Sequence, residues 1–256
     1  MATAEPLEGP VELGEDRSAG TMTLLEHLLE LRSRVMWSAI AVLGGMVPFF
    51  APSVGLRVIN ALMEPALSQN PNFRAQAISP MENITVYFHV ALLGGLTIGM
   101  PMLVYQVLAF VMPALTKSER RWLIPVVVGI TFSFALGVVF AYFAVLPAAY
   151  GFLFSFGSSF ADPTPTISSY IDLTTRLILV VGLAFETPLI IMALARFGLV
   201  TARRLWQFKA WALVGAFAIS AVLTPTPDPV TQTLVAVPML ILYFVGIGLA
   251  WMVRRS

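Results

Sequence analysis

The feature that most constrains this chain is a succession of long apolar stretches between residues 33 and 251. Six can be marked, over residues 33–54, 83–112, 122–150, 170–196, 209–224 and 231–251. A helix needs about 20 apolar residues to cross a bilayer whose hydrocarbon is about 30 Å thick. Hydrocarbon offers no water to the backbone, so each such run must satisfy its own N–H and C=O groups, which selects α-helix. Composition agrees, with 58% hydrophobic and 11% charged residues against about 25% charged in soluble domains. Mean hydropathy is +0.84. The pattern predicts an all-α integral membrane protein of six transmembrane helices. Residues 21–256 should form one domain, because no polar linker interrupts the runs. Pro101, Pro125, Pro188 and Pro238 fall within or near the starts of spans and should kink them.

Charge placement predicts the orientation. Arg17, Arg32 and Arg34, then Lys117, Arg120 and Arg121, then Arg196, Arg203, Arg204 and Lys209, then Arg254 and Arg255 fall on one side of the six spans. The other side keeps Arg57, Arg74 and, at a helix start, Arg176. By the excess of Lys and Arg in cytoplasmic loops, both termini are expected in the cytoplasm of a multi-pass protein of the cell (inner or plasma) membrane. Residues 1–20, with Glu5, Glu8, Glu12, Glu15 and Asp16 among glycines and prolines, read as a disordered acidic tail. They lack the basic start and apolar core of a cleavable signal peptide. No cysteine is present and the histidines are His27 and His89 alone, so no metal site and no cofactor are expected. Net charge is +1, and no nucleic-acid partner is expected.

Four acidic positions stand out, each with a structural alternative. In "LLEHLLELRSR" (24–34), Leu24, Leu28, Leu31 and Val35 form one helical stripe opposite Glu26, Glu30 and Ser33. This suggests an amphipathic segment running into the first span, in which Glu30 either binds a ligand or pairs with Arg34 at i,i+4. Glu119, in "PALTKSERRW", has capping-box spacing from Thr116 at the start of the third span. Glu186 sits mid-span in "GLAFETPLIIMA", where a charge costs roughly 2.5–3.5 kcal/mol to insert. That cost favours a functional role over packing. Asp228, in "LTPTPDPVTQT", is either a ligand-facing residue or the N-cap of the last helix.

The last two spans read as short. Lys209 to Leu223 gives 15 residues, about 22 Å of helix, so this hairpin should leave the bilayer unspanned or thin it. "GLTIGMPMLVYQVLAF" (95–110) and "GLAFETPLIIMALARF" (182–197) share Gly, Leu, Pro and Phe in register, which either chance or duplication explains. No nucleophile–base pattern and no paired mid-span aspartates occur, so an enzyme is not expected.

"HLLELRSRV", "PALTKSERRWLIP", "FETP" and "LTPTPDPVTQTLVAVPM", in this order across six spans, resemble the TatC family, with "MEPAL" (63–67) and "SPMENI" (79–84) fitting its first external loop. TatC is the multi-spanning core component of the twin-arginine translocase, which exports folded proteins. The T-P-T-P-D link is one residue longer than the T-P-P-D form of relatives. The resemblance implies that Glu30 and Glu119 receive the paired arginines of signal peptides, with Phe110 and Arg32 in the same site. A planar guanidinium is held bidentately by a carboxylate in a way that lysine cannot copy. It also implies an intramembrane polar groove with Glu186 and Gln232, and an external hairpin with Pro225 and Asp228. Implied partners are the single-span proteins TatA and TatB, twin-arginine signal peptides of folded precursors, membrane lipid and further copies of the chain, with energy from the proton-motive force. The rival is a proton-coupled secondary transporter of a small solute with Glu186 as its proton site.

Overall fold

The computed structural model describes residues 24–111, 123–156, 164–223 and 228–253. Among these residues the chain is helical, with an isolated bridge between Gln76 and Thr166. Helix α1 spans Leu24–Met46 and runs through a short 3-10 turn, Val47–Phe50, into α2, Pro52–Leu67. Then come α3, Pro80–Val111, and α4, Leu123–Phe140, followed by a π-helical turn, Ala141–Val145, and α5, Leu146–Ser155. Helix α6 spans Ile167–Arg196, α7 Ala202–Gln207, α8 Lys209–Leu223 and α9 Pro229–Met252.

Among the described residues, five stretches are long and apolar enough to cross a membrane: His27–Phe50, Pro80–Phe110, Ile124–Ser155, Ile167–Arg196 and Pro229–Met252. The fifth expected span is α8, whose 15 residues reach only about 22 Å. The expectation that the last helix is also short is corrected. Helix α9 has 24 residues, about 36 Å. Asp228 caps it by accepting the Thr231 N–H at 2.6 Å, Pro229 enters at the first turn, and the helix continues through Pro238. Helices α3 and α6 likewise run through Pro101 and Pro188. The π turn precedes Pro147, which has no N–H to offer Phe143. The ladder widens there, and Leu146 N–H bonds to Ala141 C=O five residues back.

The amphipathic start of α1 faces opposite to soluble practice. Leu28, Leu31 and Val35 are exposed, whereas Glu30 turns toward α3. In a bilayer an apolar stripe belongs on lipid and a polar one on protein.

The core lies at the far end of the bundle, away from the near end where α1 begins and α3, α6 and α9 finish. Tyr170 donates to Leu62 C=O at 2.6 Å, and the Tyr150 and Thr174 hydroxyls bond at 2.6 Å. The two tyrosine rings stack at 4.7 Å. Leu62 and Ala66 of α2 are buried in this core, so the first loop carries a packed helix that the sequence reading passed over. Helices α4 and α6 approach closely where Gly137 faces Gly182. A Cβ on Gly137 would lie 2.8 Å from the Gly182 Cα, and one on Gly182 would lie 2.7 Å from the Phe134 ring.

Candidate functional site

Two constellations share α3. The first is at the near end. Arg34 donates through Nη2 to Glu30 Oε1 at 3.1 Å and through Nη1 to Gln106 Oε1 at 3.1 Å. The expected i,i+4 pair therefore exists, and its arginine also ties α1 to α3. Gln106 is buried, 4% exposed, and its amide reaches the Met102 sulfur at 3.8 Å. One turn along, His27 stacks on Phe110 with ring centroids 4.3 Å apart. The second Glu30 oxygen, Oε2, is buried with no hydrogen-bond partner among the described residues. A buried carboxylate oxygen without a donor is costly and is poised to take one. Arg32 is exposed nearby. Glu119 and Pro225 lie outside the described residues.

The second constellation is a cavity of about 450 Å³ between α3, α4 and α6, with Glu186 on its wall. Leu96, Met100 and Leu103 face Phe134, Leu183 and Ile190 across it. Both segments that the sequence aligns, 95–110 and 182–197, contribute to this lining. Glu186 is 7% exposed and its Oε1 lacks a hydrogen-bond partner among the described residues. Pro188 cannot bond back to Ala184 C=O, and the neighbouring Phe185 carbonyl accepts from Ser133 of α4 at 2.6 Å. The polar groove expected around Glu186 is an apolar one carrying a single ionisable group in its described lining. Gln232 is not part of it. Its side chain donates to Phe217 C=O at 2.9 Å, and its own carbonyl accepts from Ser220 at 2.6 Å, stitching α8 to α9. Asp228 takes the N-cap role. Among the described residues no three His, Cys, Asp or Glu side chains come together as metal ligands would.

The family model described as "Sec-independent protein translocase protein (TatC)" matches residues 26–238. The chain belongs to the TatC family. It is 37% identical over 239 residues to TatC of Aquifex aeolicus, covering 92% of this chain and 97% of that one. The chloroplastic TATC of Arabidopsis thaliana is 35% identical over 245 residues, 96% of this chain and 69% of that protein. A crystal structure described as the twin arginine translocase receptor TatC matches with a TM-score of 0.80 at 36% identity, covering 90% of this chain and 100% of that chain. This TatC-family chain is thus a membrane component of a protein translocase, and the solute-transporter rival is the poorer fit.

Three residues of the near-end constellation escaped the sequence reading as site members: His27, Arg34 and Gln106. The available signal was Gln106, a lone amide in the apolar run "MLVYQVLAF", where a polar side chain needs a partner.

Proposed function

We propose that this chain is the signal-peptide receptor and core scaffold of a twin-arginine translocase, moving folded precursors by the proton-motive force. The observation that carries the reading is Glu30, with one oxygen held by Arg34 and the other buried without a donor among the described residues. An incoming guanidinium can donate to Oε2, and Arg34 retains Gln106 Oε1 as an alternative acceptor. The Phe110–His27 stack offers a flat neighbour for a second guanidinium. Glu119 is proposed as the second carboxylate and Arg32 as part of the rim. Charge-assisted bonds of this kind are worth roughly 1.5–3 kcal/mol each, less here because the Glu30 side chain is 20% exposed.

In this reading α8 completes six spans, both termini are cytoplasmic in the cell membrane, residues 1–20 are a disordered tail, and residues 21–256 form one domain. TatA- and TatB-type single-span proteins and further copies of the chain assemble around it. Glu186 serves transport rather than recognition. The test is crosslinking of a labelled twin-arginine peptide to the full-length protein in membranes. Glu30→Gln and Glu119→Gln should each weaken capture, and a peptide with two lysines should bind poorly. Unchanged capture by the double variant would refute the role.

A further inference from the structure

A second hollow, of about 870 Å³, opens at the near end between the α6–α7 turn and the last turns of α9. Arg196 and Arg203 lie on one wall, and Phe244, Ile247 and Trp251 on the other. We infer that it binds an anionic phospholipid, with the head-group phosphate on Arg203 and Arg196 and the acyl chains along α9.

The hollow is built by fixed elements. Helix α6 ends at Arg196, and Gly198 takes φ +74°, a left-handed conformation suited to glycine, so that Leu199 N–H returns to Leu194 C=O at 3.0 Å. Thr201 caps α7 by accepting from Arg204 N–H at 3.3 Å. Tyr243 of α9 donates to Leu205 C=O at 2.7 Å and clamps α7 in place. Trp206 then meets Phe244 edge-on, with centroids 5.9 Å apart.

Its chemistry is divided as an amphiphile is. No acidic residue is in the described lining. Arg203 is exposed and makes no hydrogen bond or ion pair with a described side chain, while Arg196 already has an interaction of its own. Lys209 adds a third cation at the rim, its Nζ 4.8 Å from the Trp206 ring centre. Guanidinium groups hold phosphate oxygens bidentately. Trp206 and Trp251 are more than half exposed, as tryptophans at the bilayer–water boundary are. A soluble anion would leave the apolar wall unused, and an apolar helix would leave the arginines unmatched. Basic pockets of this kind at the ends of spanning helices hold anionic head groups. The volume falls in the range of about 300–1,000 Å³ that encloses ligands of several hundred daltons.

The test uses the full chain with Trp37, Trp122 and Trp211 changed to Phe, leaving Trp206 and Trp251 as reporters. The protein is reconstituted in phosphatidylcholine vesicles containing a minor fraction of brominated phosphatidylglycerol or, in parallel, brominated phosphatidylcholine. The anionic quencher should dominate, and excess inorganic phosphate should leave it in place. Arg203→Gln should cut the enrichment roughly fivefold, the effect of removing one cation near a membrane surface, and Arg196→Gln with Arg203→Gln should abolish it. Arg57→Gln, in the other arm of the charge distribution, should change nothing. Equal quenching by the two lipids, a preference that survives in both Arg203→Gln and the double variant, or displacement by inorganic phosphate would overturn the assignment.

Discussion

Consider Glu186→Leu. The carboxyl lies on the wall of an otherwise apolar cavity, 7% exposed, with Oε1 unpartnered among the described residues. Leaving a buried polar atom unmatched costs about 1–3 kcal/mol. Leucine is close to glutamate in size and would meet Met100, Phe134 and Ile190, so neither a new void nor an overpacked wall is expected. The protein should therefore gain about 1–3 kcal/mol. At roughly 2–4 °C per kcal/mol for a chain of 150–250 residues, the gain appears as several degrees in Tm. Thermal unfolding of purified protein in one detergent, followed by intrinsic fluorescence, measures it. Glu186→Gln, still polar and still lacking a donor or acceptor match, should fall between leucine and wild type. Export of a folded twin-arginine precursor should drop in the leucine variant while capture of the signal peptide is retained. A lower Tm for Glu186→Leu would refute the reasoning, because it would mean that the carboxyl has partners worth more than its desolvation. Undiminished export would remove the proposed role in transport and leave only a packing residue.

At the near end, Arg34→Ala frees Glu30 Oε1 from a partly exposed pair worth about 0.3–0.5 kcal/mol. Twin-arginine peptide should then bind about twofold more tightly by titration, and weaker binding would show that Arg34 assists rather than competes. Gly182→Val puts a side chain against the Phe134 ring and the facing Gly137, and should lower Tm by the equivalent of about 1–3 kcal/mol. An unshifted Tm would mean that α4 and α6 are free to separate. Because α8 is shorter than an ordinary bilayer's hydrocarbon is thick, a cysteine at Val222, which is 80% exposed, should react with a membrane-impermeant thiol reagent. Resistance to labelling, with a cysteine at Ser158 labelled in the same membranes, would refute the short-helix argument.

What the sequence made legible follows from the range of each interaction. Local patterns were readable: the i,i+4 pair of Glu30 and Arg34, the Asp228 cap, and the limits of α8 between Lys209 and Leu223. Pairings between distant segments were not. Arg34 meets Gln106 across 72 positions, and no spacing rule connects them. Glu186 was marked by its cost in hydrocarbon, but its surroundings depend on which faces of α3 and α4 meet α6. Gln232 is not in the described lining of the Glu186 cavity, and its amide donates to the α8 backbone instead, a pairing no local pattern announces. Helix α2 was passed over although Ile59, Leu62, Met63 and Ala66 have helical spacing. Pro52 opens the helix, where a missing N–H costs nothing, and Pro65 near its end leaves the Ala61 C=O to accept from the Tyr142 hydroxyl at 2.7 Å.

The two carboxylates differ chiefly in the medium that surrounds them. Glu30 lies at the near end with its side chain 20% exposed. Water screens its pair with Arg34, and exchanging one guanidinium for another costs little. A receptor that must release its signal peptide gains from such a pair, since a strong internal bridge would block entry and a strong external one would block release. Among the described residues, Glu186 has apolar neighbours and no donor on Oε1. There any polar group brought alongside interacts strongly, because effective dielectric falls and no competing partner stands ready. Helix α3 carries both regions, with buried Gln106 standing between the cavity-lining Val104 and Val107. A segment held at Arg34 and Gln106 therefore rests on the same helix that walls the Glu186 cavity, which supports assigning reversible recognition to Glu30 and the transport step to Glu186.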